Sequence, residues 1–307
     1  MKLLCFLLAL AMLEIRAGAQ TPAEAYAPYG QLILVKLDSA PFPHPDRAKG
    51  HDYHTEHYTA ESNYSDNTVG IFVPKGFRKT RTTDFVVHFH GWRNHVVKVF
   101  SDYDLIEQFS EAGRNAILVV PQGPYDVPDS FDGKLEDENG FKRFMGDVMK
   151  TLRERGIIDA KEPGKIILSA HSGGYQVLSS IVARGGMSEK VREVWLFDAL
   201  YAGTENFVAW FNHYPSRKLI DIYTDHGGTK EETEKLIALM QATKNLLISK
   251  EEPDVTEADL RNNNLIFIHT GLEHNQVLNR RREYAAYLRA SCLEPLVPFP
   301  AAQAPGK

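Results

Sequence analysis

Apolar, mostly β-branched runs recur along the chain from about residue 30 to residue 271, separated by segments with helical spacing. "GQLILVKLD" (30–38) and "NTVGIFVPKGF" (67–77) read as opening strands. "DFVVHFHG" (84–91), "NAILVVPQG" (115–123), "KIILSAHS" (165–172), "EVWLFDALY" (193–201), "KLIDIYTD" (218–225) and "NLIFIHTG" (264–271) follow. These are near-continuous apolar runs rather than alternating ones, as parallel strands covered on both faces require. Between them, "DYDLIEQFSEAG" and "GFKRFMGDVMKTLRERG" each close on a glycine suited to a helix C-cap. "GYQVLSSIVARGG", "TENFVAWFN", "KEETEKLIALMQATK" and "NRRREYAAYLRAS" complete the helical set. Strand followed by helix, repeated, predicts an α/β fold: a doubly wound, mostly parallel sheet flanked by helices. The stretch 40–67 is polar and rich in His and Tyr, and reads as a surface loop. No internal repeat or linker divides the chain, so 20–295 is expected to form one domain, with 296–307, rich in Pro and Ala, as a flexible tail.

The N-terminus has a different character. Lys2 is followed by an apolar stretch over 3–13, and Ala17-Gly18-Ala19 has the small-x-small form of a signal-peptidase site. The stretch is too short to span a bilayer. Residues 1–19 are therefore expected to be a cleaved signal peptide and the product to be exported, although Glu14 and Arg16 are unusual between apolar run and cleavage site. No other segment has the length and apolarity of a membrane span. An exported chain would normally invite disulfides, but its cysteines are Cys5, inside the expected leader, and Cys292. The apolar core must then hold the fold. The net charge of -5 across 307 residues gives no electrostatic case for nucleic acid or an anionic membrane as partner.

The candidate chemistry lies at the ends of the expected strands. Ala170-His171-Ser172-Gly173-Gly174 is G-x-S-x-G with its first glycine replaced by alanine. A nucleophile at a sharp strand-to-helix turn needs small neighbours, which this stretch supplies. A flexible βα turn would use the same residues, so Ser172 needs partners elsewhere in the chain. His274, in "HTGLEHNQV", lies in a loop after the last strand and is a candidate base; His269, on the strand end, reads as a packed residue. Two aspartates compete for the acid. Asp225 lies on the later strand but beside His226-Gly227-Gly228, where Asp has an easy local role. Asp198 is embedded in "LFDALY", where a buried carboxylate needs a partner. Environment favours Asp198, with Asp225 as the alternative. An oxyanion hole would use the backbone N–H of Gly173 and that of Trp92, which follows His90-Gly91. His88 and His90 would otherwise brace the core from one strand face. "HDYHTEHY" places His51, His54 and His57 three apart, but without an apolar stripe to anchor a helix, so no metal site is expected there.

Taken in order, "HFHG", "VVPQG", "SAHSGG", "FDALY" and "GLEHNQV" resemble the α/β-hydrolase superfamily over roughly 30–290, and look nearest to secreted bacterial esterase- and depolymerase-like serine hydrolases. The resemblance implies a Ser-His-Asp triad with Ser172 as nucleophile and His274 as base, an oxyanion hole at Trp92 and Gly173, and no cofactor or metal. The expected activity is hydrolysis of a small-molecule or polymer ester through an acyl-enzyme. A serine peptidase or amidase would use the same triad. A non-catalytic protein binding carbohydrate or peptide on this scaffold would use the aromatics Trp92, Tyr125, Tyr175 and Tyr201 near the strand ends.

Overall fold

Alternate residues of the central strands go to opposite faces, and each face buries its own set of helices. The computed structural model of the chain describes residues 20–214 and 216–296. The expected leader 1–19, and all but the first residue of the expected tail 296–307, lie outside the described residues. The strands are β1 (Gly30–Lys36), β2 (His51–Tyr53), β3 (Glu56–Tyr58), β4 (Thr68–Pro74), β5 (Thr83–Phe89), β6 (Ala116–Pro121), β7 (Pro163–His171), β8 (Val191–Phe197), β9 (Lys218–Thr224), β10 (Ile248–Glu251) and β11 (Leu265–Thr270). Nine of them form one sheet in the order β1-β4-β6-β5-β7-β8-β9-β11-β10. β4 runs antiparallel to both β1 and β6. From β6 to β10 every pairing is parallel.

The two-residue period of a strand explains the layering. Phe85, Val87 and Phe89 of β5, and Ile166, Leu168 and Ala170 of β7, point into one apolar core. There they meet Phe141, Phe144 and Val148 of helix Gly140–Glu154 and Val177, Leu178 and Ile181 of helix Tyr175–Arg184. Val86, Ile167, Trp195 and Phe197 point the other way, onto Phe100, Phe109, Tyr284 and Leu288. Each such side chain contributes about 1.5–3 kcal/mol by leaving water. Truncating one at the centre, such as Phe144→Ala, costs about 3–5 kcal/mol. The result is a rigid platform with the carboxyl ends of its parallel strands on one edge, where α/β folds assemble ligand sites. No helix among the described residues is long and apolar enough to cross a membrane.

The reading of 40–67 as a surface loop is corrected. β2 and β3 pair as an antiparallel hairpin, and Phe42 and Tyr64 are buried with Val127 in a small separate core. The polar composition hid these anchors because their apolar partners come from a distant loop. The short edge strand β10 also lay outside the expected set, since its "ISKE" has one apolar residue.

Candidate active site

β7 ends at His171, and the chain passes through a tight turn, Ser172–Gly174, into helix Tyr175–Arg184. Ser172 has a φ of 53°, left-handed backbone that costs an L-residue about 1–2 kcal/mol. The surroundings impose this conformation. A Cβ on Gly174 would lie 2.7 Å from the Phe89 carbonyl oxygen, and one on Gly91 would lie 2.6 Å from Ser172 Cβ. Ala170, completely buried, stands where the motif has its first glycine, so a methyl group fits there.

Asp198 follows β8 directly, also with a positive φ, 45°. Its N–H donates to the Ile222 carbonyl at 2.7 Å, which fixes the turn against β9. The carboxylate has no solvent exposure. It accepts from His274 Nδ1 at 2.6 Å, from Thr224 Oγ1 at 2.8 Å and from Thr224 N at 3.2 Å, and also from the Thr229 hydroxyl. Burial alone would raise its pKa; the hydrogen bonds from His274, Thr229 and Thr224 outweigh burial and hold the carboxyl below its ordinary value. An ionised Asp198 fixes the His274 tautomer: Nδ1 carries the proton, leaving Nε2 as the acceptor.

Ser172 and His274 line one cavity of about 560 Å³. Tyr201 lines the same cavity, its phenol donating to the Gly227 carbonyl at 2.7 Å. No hydrogen bond among the described residues joins Ser172 to His274 directly; nucleophile–base contacts of this kind commonly close only around substrate.

The candidate oxyanion donors flank the serine. Neither the Trp92 nor the Gly173 amide takes part in the turn and loop hydrogen bonds of the described residues. His90 orients the first of them. Burial pushes its pKa down to about 4, so the ring is neutral. Nε2 accepts from Gly123 N at 3.1 Å, which leaves Nδ1–H to donate to the Gly91 carbonyl at 2.8 Å. That carbonyl and the Trp92 N–H belong to one peptide plane, so holding one aims the other. Trp92, 44% exposed, lies at the rim, its indole N–H donating to Ser130 Oγ at 2.7 Å.

His171 carries a role the sequence reading did not assign. It is buried, and burial followed by the neighbouring His274 charge pushes its pKa down to about 3. Nε2–H donates to the His274 carbonyl at 3.0 Å, and Nδ1 accepts from the Tyr103 hydroxyl at 3.2 Å. The two imidazoles lie with centroids 4.7 Å apart and planes inclined by 33°. His171 thus ties the loop bearing His274 to the strand bearing Ser172.

The remaining candidates stand apart. Asp225 pairs with Lys230 at 2.7 Å and His269 at 3.1 Å, well away from any bond to His274. His88 lies wholly buried with Nδ1 against Ser169 Oγ at 2.7 Å. In the hairpin, His57 pairs with Asp52 at 2.6 Å and His54 occupies the turn with a φ of 54°. Tyr53 sets its ring edge-on to Trp92 at 5.4 Å, so the hairpin borders the candidate site. Tyr125 stacks on His95 and is not among the cavity's lining residues. Among the described residues, no group of three or more His, Cys, Asp or Glu side chains is placed to hold a metal ion.

No family model and no curated protein matches the chain in sequence. Solved structures do match in shape. The feruloyl esterase module of Clostridium thermocellum, in complex with sinapinate, superposes with a TM-score of 0.55 at 12% identity, covering 85% of this chain and 87% of that one. A ferulic acid esterase superposes with a TM-score of 0.54 at 10% identity, covering 85% and 99%. A fluorophosphonate-binding serine hydrolase of Staphylococcus aureus, with substrate bound, gives 0.51 at 9% identity, covering 86% and 99%. The chain has the α/β-hydrolase fold.

Proposed function

We propose that the protein is an exported serine hydrolase that cleaves carboxylic esters through an acyl-enzyme. The observation that carries the reading is the pairing of His274 with the buried Asp198 at 2.6 Å, in a cavity that His274 shares with Ser172 on its left-handed turn. Ser172, Asp198, His274 and Trp92, separated in sequence, meet at this cavity, and a flexible βα turn at Ser172 would account for none of the other three. Likeness in shape to solved esterases supports the same reading.

The mechanism follows from the placement of each group. Ser172 Oγ attacks the acyl carbon of the bound substrate while its proton passes to His274 Nε2. Asp198 stabilises the imidazolium and holds its orientation. The carbonyl electrons collect on an oxyanion that the Trp92 and Gly173 amides bind, an arrangement in which one donor is commonly worth about 2.7–4 kcal/mol. Collapse expels the alcohol, which takes the proton from His274. A water, deprotonated by the same imidazole, then releases the acid and restores Ser172. The groups present complete the cycle by acyl transfer. Export rests on the apolar run 3–13 and Ala17-Gly18-Ala19.

The test is labelling with a fluorophosphonate probe, with the modified peptide mapped. Adduct on Ser172, lost in Ser172→Ala together with ester turnover, is the expected result. Ester turnover that survives in Ser172→Ala would overturn the proposal, and a protein that neither labels nor hydrolyses esters would be a binding protein on this fold. N-terminal sequencing of the secreted product should begin at Gln20.

A further inference from the structure

Two recesses meet at Ser172, and their walls differ in chemistry. One, of about 360 Å³, lies between the rings of Trp92, Tyr175 and Tyr201, with Ser130, Gly173 and Gly227 completing it beside Ser172. The other, of about 560 Å³, runs past His274 between Arg93, Lys98, Asp102 and Asn275. Ser172, Trp92 and Tyr201 are shared by both.

Building on the ester-hydrolase reading, we propose that the aromatic recess takes the acyl part of the substrate and the polar recess its alcohol, so that the preferred substrates are esters of a flat aromatic acid with a polar alcohol. The direction follows from the proton. The departing oxygen must be protonated by His274, and a general acid has to lie within hydrogen-bond reach of the atom it serves. His274 lines the polar recess and not the aromatic one. The alcohol therefore leaves along the polar side. The oxyanion occupies the Trp92 and Gly173 amides, and the acyl substituent is left with the direction of the aromatic recess.

The walls suit those occupants. Trp92 is held by the hydrogen bond to Ser130 Oγ at 2.7 Å and by the edge of Tyr53, so its indole presents a fixed face. Tyr175 and Tyr201 stand 5.6 Å apart between centroids, inclined by 46°. Three rings around a narrow recess favour a flat apolar group by stacking and edge contacts. Gly173 keeps the recess open and the indole close: a Cβ there would lie 2.6 Å from Trp92 Cδ1. On the other side, a guanidinium, an ammonium, a carboxylate and an amide offer donors and acceptors to hydroxyls on the alcohol.

Two isomeric esters separate the sides. Methyl phenylacetate carries its ring on the acid, benzyl acetate on the alcohol, and their composition is the same. With kcat/KM divided by each ester's alkaline hydrolysis rate, methyl phenylacetate should be preferred by about tenfold or more, the discrimination a shaped apolar pocket gives. Equal values, or a preference for benzyl acetate, would overturn the assignment. Tyr175→Ala and, independently, Trp92→Ala at the exposed rim should each bring the ratio toward one; a ratio unchanged in both would also overturn it. Fluorophosphonate labelling of Ser172 distinguishes the two levels. A protein that labels but shows no side preference retains the hydrolase reading and loses this one, whereas one that does not label loses both.

Discussion

His274 Nδ1 lies 2.6 Å from Asp198 Oδ2, and that carboxylate has no contact with solvent. Asp225, one strand further on, is 43% exposed at its side chain and is paired with Lys230 and His269. The two positions predict unequal outcomes. Asp198→Asn should lower kcat on the order of 10⁴-fold, because the amide leaves His274 in the wrong tautomer. Asp225→Asn should stay within a few-fold of the parent, since an exposed pair contributes about 0–1 kcal/mol. Steady-state ester kinetics on both variants decide the matter, and the reverse order would reassign the acid.

Ser172 has a left-handed backbone, and glycine relieves what serine and alanine both bear. Ser172→Gly and Ser172→Ala should both be inactive, with the glycine variant more stable than the alanine one by about 1 kcal/mol. Urea titration of the two proteins measures the difference. A glycine variant less stable than alanine would show that the turn is not strained at this residue.

The strands were legible where burial on both faces made the signal continuous, as in "KIILSAH" of β7 and "NLIFIHT" leading through β11. β10, at the sheet edge, alternates between half-buried and exposed residues and carries almost no apolar signal. The hairpin of β2 and β3 is polar on both sides, and its contact with the site passes through Tyr53 and Trp92. Ser172, Asp198 and His274 were readable as candidates because each sits at or just beyond a strand end with a characteristic neighbourhood. Thr229 reaches Asp198 from 31 residues away, and His171 reaches the His274 carbonyl across 103. Nothing local in either stretch encodes those meetings, which arise only when β7, β8, β9 and the last loop are brought together.

Gly173 has no room for a side chain. An added Cβ would meet Trp92 Cδ1 at 2.6 Å and Ser130 Oγ at 2.7 Å. Gly173→Ala should therefore displace either the indole or the Gly173 amide. The expected result is a fall in kcat of about 10²–10³-fold, the range for loss of one oxyanion donor. Slower fluorophosphonate labelling should accompany it, with the far-ultraviolet circular dichroism unchanged. A variant of native kcat would place the oxyanion elsewhere.

His171→Phe keeps a ring beside His274 but removes both hydrogen bonds, to the His274 carbonyl and from Tyr103. Because small displacements of a catalytic group are costly, kcat should fall on the order of 10²-fold with KM little changed. Full labelling stoichiometry with slowed turnover, and a shifted acid limb of the pH profile, would show an effect on how His274 is held. Loss of activity in proportion to loss of labelled protein would instead mark a purely structural residue.

Asp221 lies on β9, without solvent exposure, accepting from Thr233 Oγ1 at 2.7 Å through Oδ2. Its Oδ1 has no hydrogen-bond partner among the described residues. Burial, opposed by the Thr233 bond and reinforced by the charge of Asp198, pushes its pKa from 3.8 up to about 7. The sign of the consequence follows from proton counting. Between those two values the native state holds a proton that the unfolded chain has released, so stability falls as pH rises across that window and levels off above about 7. Asp221→Asn keeps the shape and removes the titration. The variant should therefore gain in Tm relative to the parent as pH is raised from 4 to 7, by roughly 2–4 °C for each kcal/mol of linkage removed. Thermal unfolding of both proteins at matched ionic strength across that range provides the test. A constant difference in Tm would mean that Asp221 does not titrate there, and a gap closing with rising pH would mean that it is held ionised in the fold.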